Sequence, residues 1–392
     1  MEDTRYRQNM DNTSYVVYSN KGGTGKTTLA FQLATAYAYK RRLEVQVVVI
    51  DLCPKANVSQ ALLAKTTENQ LGSELGKVNV SKASTRLIEL STGKEYEQTV
   101  GGYLLAMLDK KDGRMRTFDC KQFLIKVHNF NQAIPDNVFL LCGDRYLDVL
   151  SKRLEQERQL FPTRHDNNPW TRVTLFIKDF IDSLRDDPNW NYSFVIDTNP
   201  NFSIYTEMAL SAAKRLIVPF TADDFSLSAI ETMLYMVYGY DSVGDERLES
   251  FKESQYFWLA QKNRIDRSKL YLFVFNRVTF YDSRSASAFA SIRDRLVHTL
   301  KTFEHESHRK ISKQSCCCSP GQLDDDHIKE HYIVDVHDFH SKGIVSLHSG
   351  CRISEVENDY NLVYGSEVNI SSDKNSKYYK DICRILTKMY PF

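Results

Sequence analysis

Two lysines bracket a short run of glycine and threonine in Asn20-Lys21-Gly22-Gly23-Thr24-Gly25-Lys26-Thr27-Thr28. Residues of these types, in this order, can hold phosphate. Glycines let the backbone turn its N–H groups inward around anionic oxygens, and a helix that starts there adds the positive end of its dipole. Lys26 is placed to reach the β- and γ-phosphates of a nucleotide, and the Thr27 hydroxyl to hold Mg²⁺. The standard pattern has glycine at the first position, where this chain has Asn20, and the loop carries a second lysine, Lys21. The plain alternative is a glycine-rich turn that binds nothing.

A phosphate loop needs a strand before it and a helix after it, and the sequence supplies both. Five apolar runs organise the first 280 residues: Tyr15–Ser19, Val45–Ile50, Tyr192–Ile196, Arg215–Pro219 and Tyr271–Phe275. They are rich in Val, Ile and aromatics, as strands buried on both faces are. Helical patterns lie between them, over Thr27–Lys40 and Leu227–Tyr238. Strand–helix alternation predicts an α/β fold, a mostly parallel twisted sheet with helices on both faces and ligands at the carboxyl ends of its strands. Two stretches interrupt the rhythm. Residues 66–134 read as an insertion, and 305–326 as a surface loop within an extended C-terminal part.

The motif KGGTGKTT resembles the deviant Walker A loop of the ParA/MinD family of dimerising P-loop ATPases, with ParA-like partition ATPases the most similar. The resemblance implies that Lys21 acts in trans, across a nucleotide-sandwich dimer, on the partner's phosphates. A second cation there stabilises charge developing on the γ-phosphoryl oxygens. Further segments follow in family order. Asp51-Leu52-Cys53-Pro54-Lys55-Ala56-Asn57 is similar to the DxDPQGN switch, and Phe194–Pro200 to the Walker B strand and second switch. By resemblance Asp51 and Asp197 join Thr27 around Mg²⁺, Gly22 to Thr28 cradle the phosphates of ATP, and Asn276 reads adenine. Val218-Pro219-Phe220 followed by Phe225-Ser226-Leu227 matches the family's proline-ended strand and next helix. The resemblance makes residues 14–392 a single ATPase domain behind a flexible tail, 1–13.

The chain departs from the family at the switch. Cys53 stands where the second acidic residue positions the attacking water, and Lys55 and Ala56 replace Gln and Gly. A neutral thiol is a poor general base, and nearby phosphate charge disfavours the thiolate. Slow hydrolysis, with Asp51, Asp197 or a partner group ordering the water, is one expectation. A dimer switch with vestigial turnover is the other.

Composition limits the partners. Lys+Arg 51 against Asp+Glu 50 gives a net charge of +1, so bulk charge does not hold this chain to nucleic acid or membrane. A polar start, no long apolar run and eight cysteines without a CxxC pair point to a cytoplasmic protein. Locally, 284–313 carries seven basic residues (Arg284, Arg293, Arg295, Lys301, Arg309, Lys310, Lys313) against Asp294, Glu304 and Glu306. That segment is either a non-specific DNA surface or a solvated helix face. In Tyr378–Tyr390, Ile382, Ile385, Leu386 and Met389 form one stripe, more in keeping with a core helix than with a membrane anchor. His327/His331 and His337/His340 have spacings that can hold zinc, against a plain reading as a mobile polar loop. Cys120 and Cys142 fall in the interval where iron–sulfur relatives of the superfamily place single cysteines.

The expected function is an ATP- and Mg²⁺-dependent homodimeric switch that hydrolyses ATP slowly and so controls association with DNA or a protein partner. One alternative is an ATP-gated module that holds an effector with little turnover. A MinD-like membrane-associated ATPase and an enzyme that activates a small carboxylate with ATP are others.

Overall fold

A computed structural model describes residues 13–64, 97–110, 118–164, 166–241, 244–278, 280–281, 284–285, 287–306, 311, 324–356, 359–363, 366–370 and 375–389. The expected tail lies outside these residues except for Thr13, as does most of the expected 305–326 loop.

Among the described residues, eight strands form one sheet in the order β10-β7-β6-β1-β5-β2-β4-β3. Five of them are the apolar runs read from sequence: β1 (Ser14–Val17), β2 (Gln46–Asp51), β5 (Tyr192–Asp197), β6 (Arg215–Phe220) and β7 (Lys269–Val278). The others are β3 (Ile125–Lys126), β4 (Val138–Leu141) and β10 (Ile333–His337). Every pairing is parallel except that of β3 with β4. β-Branched residues fill the central strands because both faces are covered, which matches the near-continuous apolar runs. Alternate residues serve opposite cores: Val16, Val48 and Ile50 pack on one face, and Tyr15, Val17, Val47 and Val49 on the other.

The helices that matter here are α1 (Lys26–Lys40), α2 (Asn57–Leu62), α3 (Asp224–Tyr238), α4 (Ser287–Glu306), α5 (Asp325–Tyr332), α6 (His340–Ser349) and α7 (Asn375–Met389). From Leu29 to Ala38 every side chain of α1 is buried. It lies between the sheet and α7, so its sequence is apolar all round. A hairpin of β11 (Asp359–Val363) and β12 (Ser366–Ile370) follows α6.

At this level the structure meets some expectations and changes others. Within 66–134, residues 66–96 and 111–117 lie outside the described part, while the rest supplies the helix Val100–Lys110 and the antiparallel edge strand β3. The histidine-rich region is not a polar loop where it is described. His327 and His331 lie side by side on α5, with tilted rings whose centroids are 4.3 Å apart, and His337 lies on the edge strand β10. No group of three His, Cys, Asp or Glu among the described residues could hold a metal ion. The α7 stripe is core: Ile382, Ile385, Leu386 and Met389 are each at most 1% exposed. Tyr15 and Arg215 bind the Met389 carbonyl and Tyr271 that of Lys388, fixing the end of α7 to the sheet. Among the described residues no helix is long and apolar enough to cross a membrane. In the basic segment, Arg293 pairs with Asp335 and Lys301 with Asp325, so two of its cations are compensated. Arg309, Lys310, Lys313 and the Arg284 side chain lie outside the described part.

Candidate nucleotide site

The parallel register sets Val17 of β1 and Asp51 of β2 level with Asp197 of β5. Three strand ends therefore meet beneath the loop 18–25, which turns directly into α1. Gly25 caps α1 with φ 89° and makes no side-chain cap bond, and no acidic residue occupies the first turn. The helix amides thus point at a site with no anion of their own. A Cβ on Gly22 or Gly23 would meet nothing within 4 Å, leaving a mouth open on that side. One on Gly25 would come 2.2 Å from Asn276 Nδ2, so glycine is required there by contact as well as by φ. Asn20, the departure from the usual glycine, accepts a hydrogen bond from the Tyr18 hydroxyl at 3.2 Å.

Lys26 is 7% exposed, and its ammonium donates to the Lys21 carbonyl at 2.7 Å and the Ser19 carbonyl at 3.2 Å. Burial pulls its pKa down to about 8, against the pull of Asp197 and Cys53. A phosphate at the loop would return the lost solvation. Thr27 donates to Asp197 Oδ2 at 2.8 Å. Asp197 is fully buried, and burial followed by the charge of Asp51 raises its pKa. Two carboxylates in one dry site at strand ends call for a cation. Thr24 Oγ1 and Asp197 Oδ1 are buried with no hydrogen-bond partner. Open glycines, a desolvated lysine, orphaned oxygens and paired carboxylates together fit Mg²⁺ and nucleotide phosphates.

Asp51 takes a different position from Asp197. Its carboxylate accepts the Cys53 amide at 3.0 Å, the Ser59 amide at 3.0 Å and the Ser59 hydroxyl at 2.7 Å. Ser59 Oγ also accepts the Gly143 amide at 3.0 Å. Asp51 is therefore bound to the start of α2, while Thr27 and Asp197 meet directly. The Cys53 thiol is 7% exposed, and burial, then the Asp51 charge, push its pKa up to about 11. Ala56 adopts φ 50° at the head of α2, a left-handed conformation that disfavours a side chain. Such a residue costs about 1–2 kcal/mol, and the glycine that it replaces avoids that cost.

Lys21 faces its own chain. Its ammonium donates to Asp223 Oδ1 at 2.6 Å, Thr221 Oγ1 at 3.4 Å and Ser226 Oγ at 3.2 Å. Partial burial would raise the Asp223 carboxyl, but hydrogen bonds from Lys21 and Thr221 outweigh it and hold the group below its ordinary value. Asp223 also caps α3 by accepting the Ser226 amide at 2.9 Å. Asn276 donates to the Thr24 carbonyl at 3.0 Å, so it braces the phosphate loop. The Thr28 side chain is half-buried within the first turn of α1. Cys120 and Cys142 belong to cores on opposite faces of the sheet and are not brought together.

Sequence reasoning missed Ser59 and Asp223. The only signal for Ser59 is its place two residues after Asn57 in the switch segment. For Asp223, the signal is an acidic residue three before Ser226 at a helix start.

A parallel sheet whose first strand feeds a glycine-rich loop and a helix, with two carboxylates level beneath it, defines a P-loop nucleotide-binding protein. A family model described as an AAA domain matches residues 13–248, and the chain belongs to this family of ParA-like P-loop ATPases. Among solved structures, apo McdA from Cyanothece matches with TM-score 0.54 at 14% identity, covering 95% of this chain and 99% of that one. An Asp-to-Ala variant of Cyanothece McdA in complex with ATP matches with TM-score 0.51 at 15% identity, covering 95% and 96%. At such identity these structures share the fold. No curated protein matches the chain in sequence.

Proposed function

We propose that this chain is an ATP-dependent dimerising switch with a deviant Walker A loop, which controls association with DNA or a protein partner and hydrolyses ATP slowly. The observation that carries the reading is the convergence of Lys26, Thr27 and Asp197 at the head of α1, with Lys21 at the rim. Lys26 and the loop amides would hold the phosphates of ATP, and Thr27 with Asp197 would hold Mg²⁺. Bound Mg·ATP supplies the reactive γ-phosphoryl group and neutralises charge that develops on it. Asp51 fixes the switch helix through Ser59. Lys21 completes a second copy's site once it leaves Asp223.

A second reading, an ATP-gated module that holds an effector with little turnover, is favoured by the Cys53 thiol. With its pKa pushed up to about 11, it is neutral near pH 7 and takes no proton from water. Light scattering with Mg·ATP tests the shared part of both readings. A mass near two chains is expected for wild type, and one chain for Lys21→Ala. A monomer under all conditions would sink both.

A further inference from the structure

We propose that the turn Gly350–Ile353, beyond the residues matched by the family model, couples the C-terminal part of the chain to its nucleotide state; this rests on the ATP-binding reading above. The two helices that frame the site are each tied to this turn by one buried side chain. From α1, which begins at Lys26, Gln32 donates to Ser346 Oγ at 2.6 Å and accepts the Ile353 amide at 3.0 Å. Ser346 in turn donates to the Cys351 carbonyl at 2.6 Å. The second tie runs from α2. Asn131 donates to the Leu62 carbonyl at its end, at 3.1 Å, and to the Gly350 carbonyl at 2.7 Å. Gln32 and Asn131 are each 1% exposed.

The fit at the turn leaves little slack. Gly350 has φ 64°, and a Cβ there would lie 2.6 Å from the Ala61 carbonyl oxygen and 2.6 Å from Asn131 Nδ2. At its other end α2 is bound to Asp51 through Ser59, and it starts at the left-handed Ala56. A shift of α2 relative to α1 therefore breaks one set of buried bonds or carries the turn with it. Buried amides without water to replace their partners resist the first outcome. The moving body would be α6 with the β11–β12 hairpin, which share a small core of Val345, Val356 and Ile370. Linkage is reciprocal, so whatever restrains that body also changes ATP affinity.

Hydrogen–deuterium exchange of the full chain, with Mg²⁺ and a non-hydrolysable ATP analogue, reads both sites at once. Protection is expected in peptides spanning 20–30, together with a changed rate in 340–356. Asn131→Ala should abolish the change in 340–356 and keep protection at 20–30. Should that variant fail to fold, Ser346→Ala is the milder cut, and its Kd for the analogue should shift by about threefold or more. Protection at 20–30 with 340–356 unchanged in wild type overturns the proposal, as does an unaltered Kd in Ser346→Ala. No protection at 20–30 in folded wild type sinks the ATP reading, and the coupling with it.

Discussion

Lys21 Nζ lies 2.5 Å from Asp223 Oδ2 of the same chain, joining the phosphate loop to the cap of α3. The lysine that the resemblance assigns to a partner's phosphates is thus engaged in cis. Dimerisation must exchange this carboxylate for phosphate, and the pair opposes it by its own strength. With both side chains partly exposed, that strength is at most about 1 kcal/mol.

Asp223→Asn should ease the exchange. Asparagine keeps the helix cap and removes the charge that holds Lys21. The ATP concentration at half-dimerisation, read by light scattering, should fall by about two- to fivefold, the equivalent of up to about 1 kcal/mol. A rise would show that Asp223 instead supports the dimer.

Cys53→Asp should raise steady-state ATP turnover about tenfold or more if a missing base limits the rate. In wild type, turnover between pH 7 and 9 should show no step from this thiol, since its pKa is pushed up to about 11. An unchanged rate in the variant removes the vestigial-turnover reading and leaves hydrolysis to other groups.

Asp51 and Asp197 hold protons in the ligand-free fold at pH values where the unfolded chain has released them, because burial raises both carboxyls. The folded state then binds more protons, so stability falls as pH rises above the ordinary aspartate value near 4. Melting of the ligand-free protein should therefore drop from pH 6 to pH 8, and Mg·ATP should remove the slope. Asp197→Asn should flatten it too, with a melting point a few degrees higher at pH 8, where about 1 kcal/mol shifts Tm by roughly 2–4 °C. A slope that persists in this variant would place its origin elsewhere.

Ile385→Ala should destabilise the fold by about 2–5 kcal/mol in denaturant titration, because Ile385 is fully buried between α7 and the sheet. Wild type should remain in the supernatant when anionic vesicles are sedimented. Co-sedimentation that disappears on removal of 376–392, from a chain that stays folded, would restore the membrane reading.

The fold and the phosphate loop were legible because both depend on local order. Strand, glycine turn and helix are consecutive in sequence, and the buried strands announce themselves as Val- and Ile-rich runs. β10 was hidden by its Asp335 and His337: Ile333–His337 is an edge strand whose His337 amide is bonded by Asp381 of α7, a partner 44 residues away. The α7 stripe was ambiguous for a related reason. An amphipathic helix looks alike whether it meets a sheet or a lipid surface, and the bonds of Tyr15, Tyr271 and Arg215 to its last carbonyls decide the matter.

By itself the sequence determined which residues could do chemistry: the loop from Lys21 to Thr28, Asp51, Cys53, Asp197 and Asn276. Tertiary structure decided which of them meet. It set Thr27 on Asp197, bound Asp51 to Ser59, turned Asn276 onto the Thr24 carbonyl and held Lys21 with Asp223. The reason is geometric. Residue type fixes what a side chain can donate or accept, but a hydrogen bond needs a separation of about 3 Å, and only strand register and helix packing bring residues 170 or 202 positions apart to that distance.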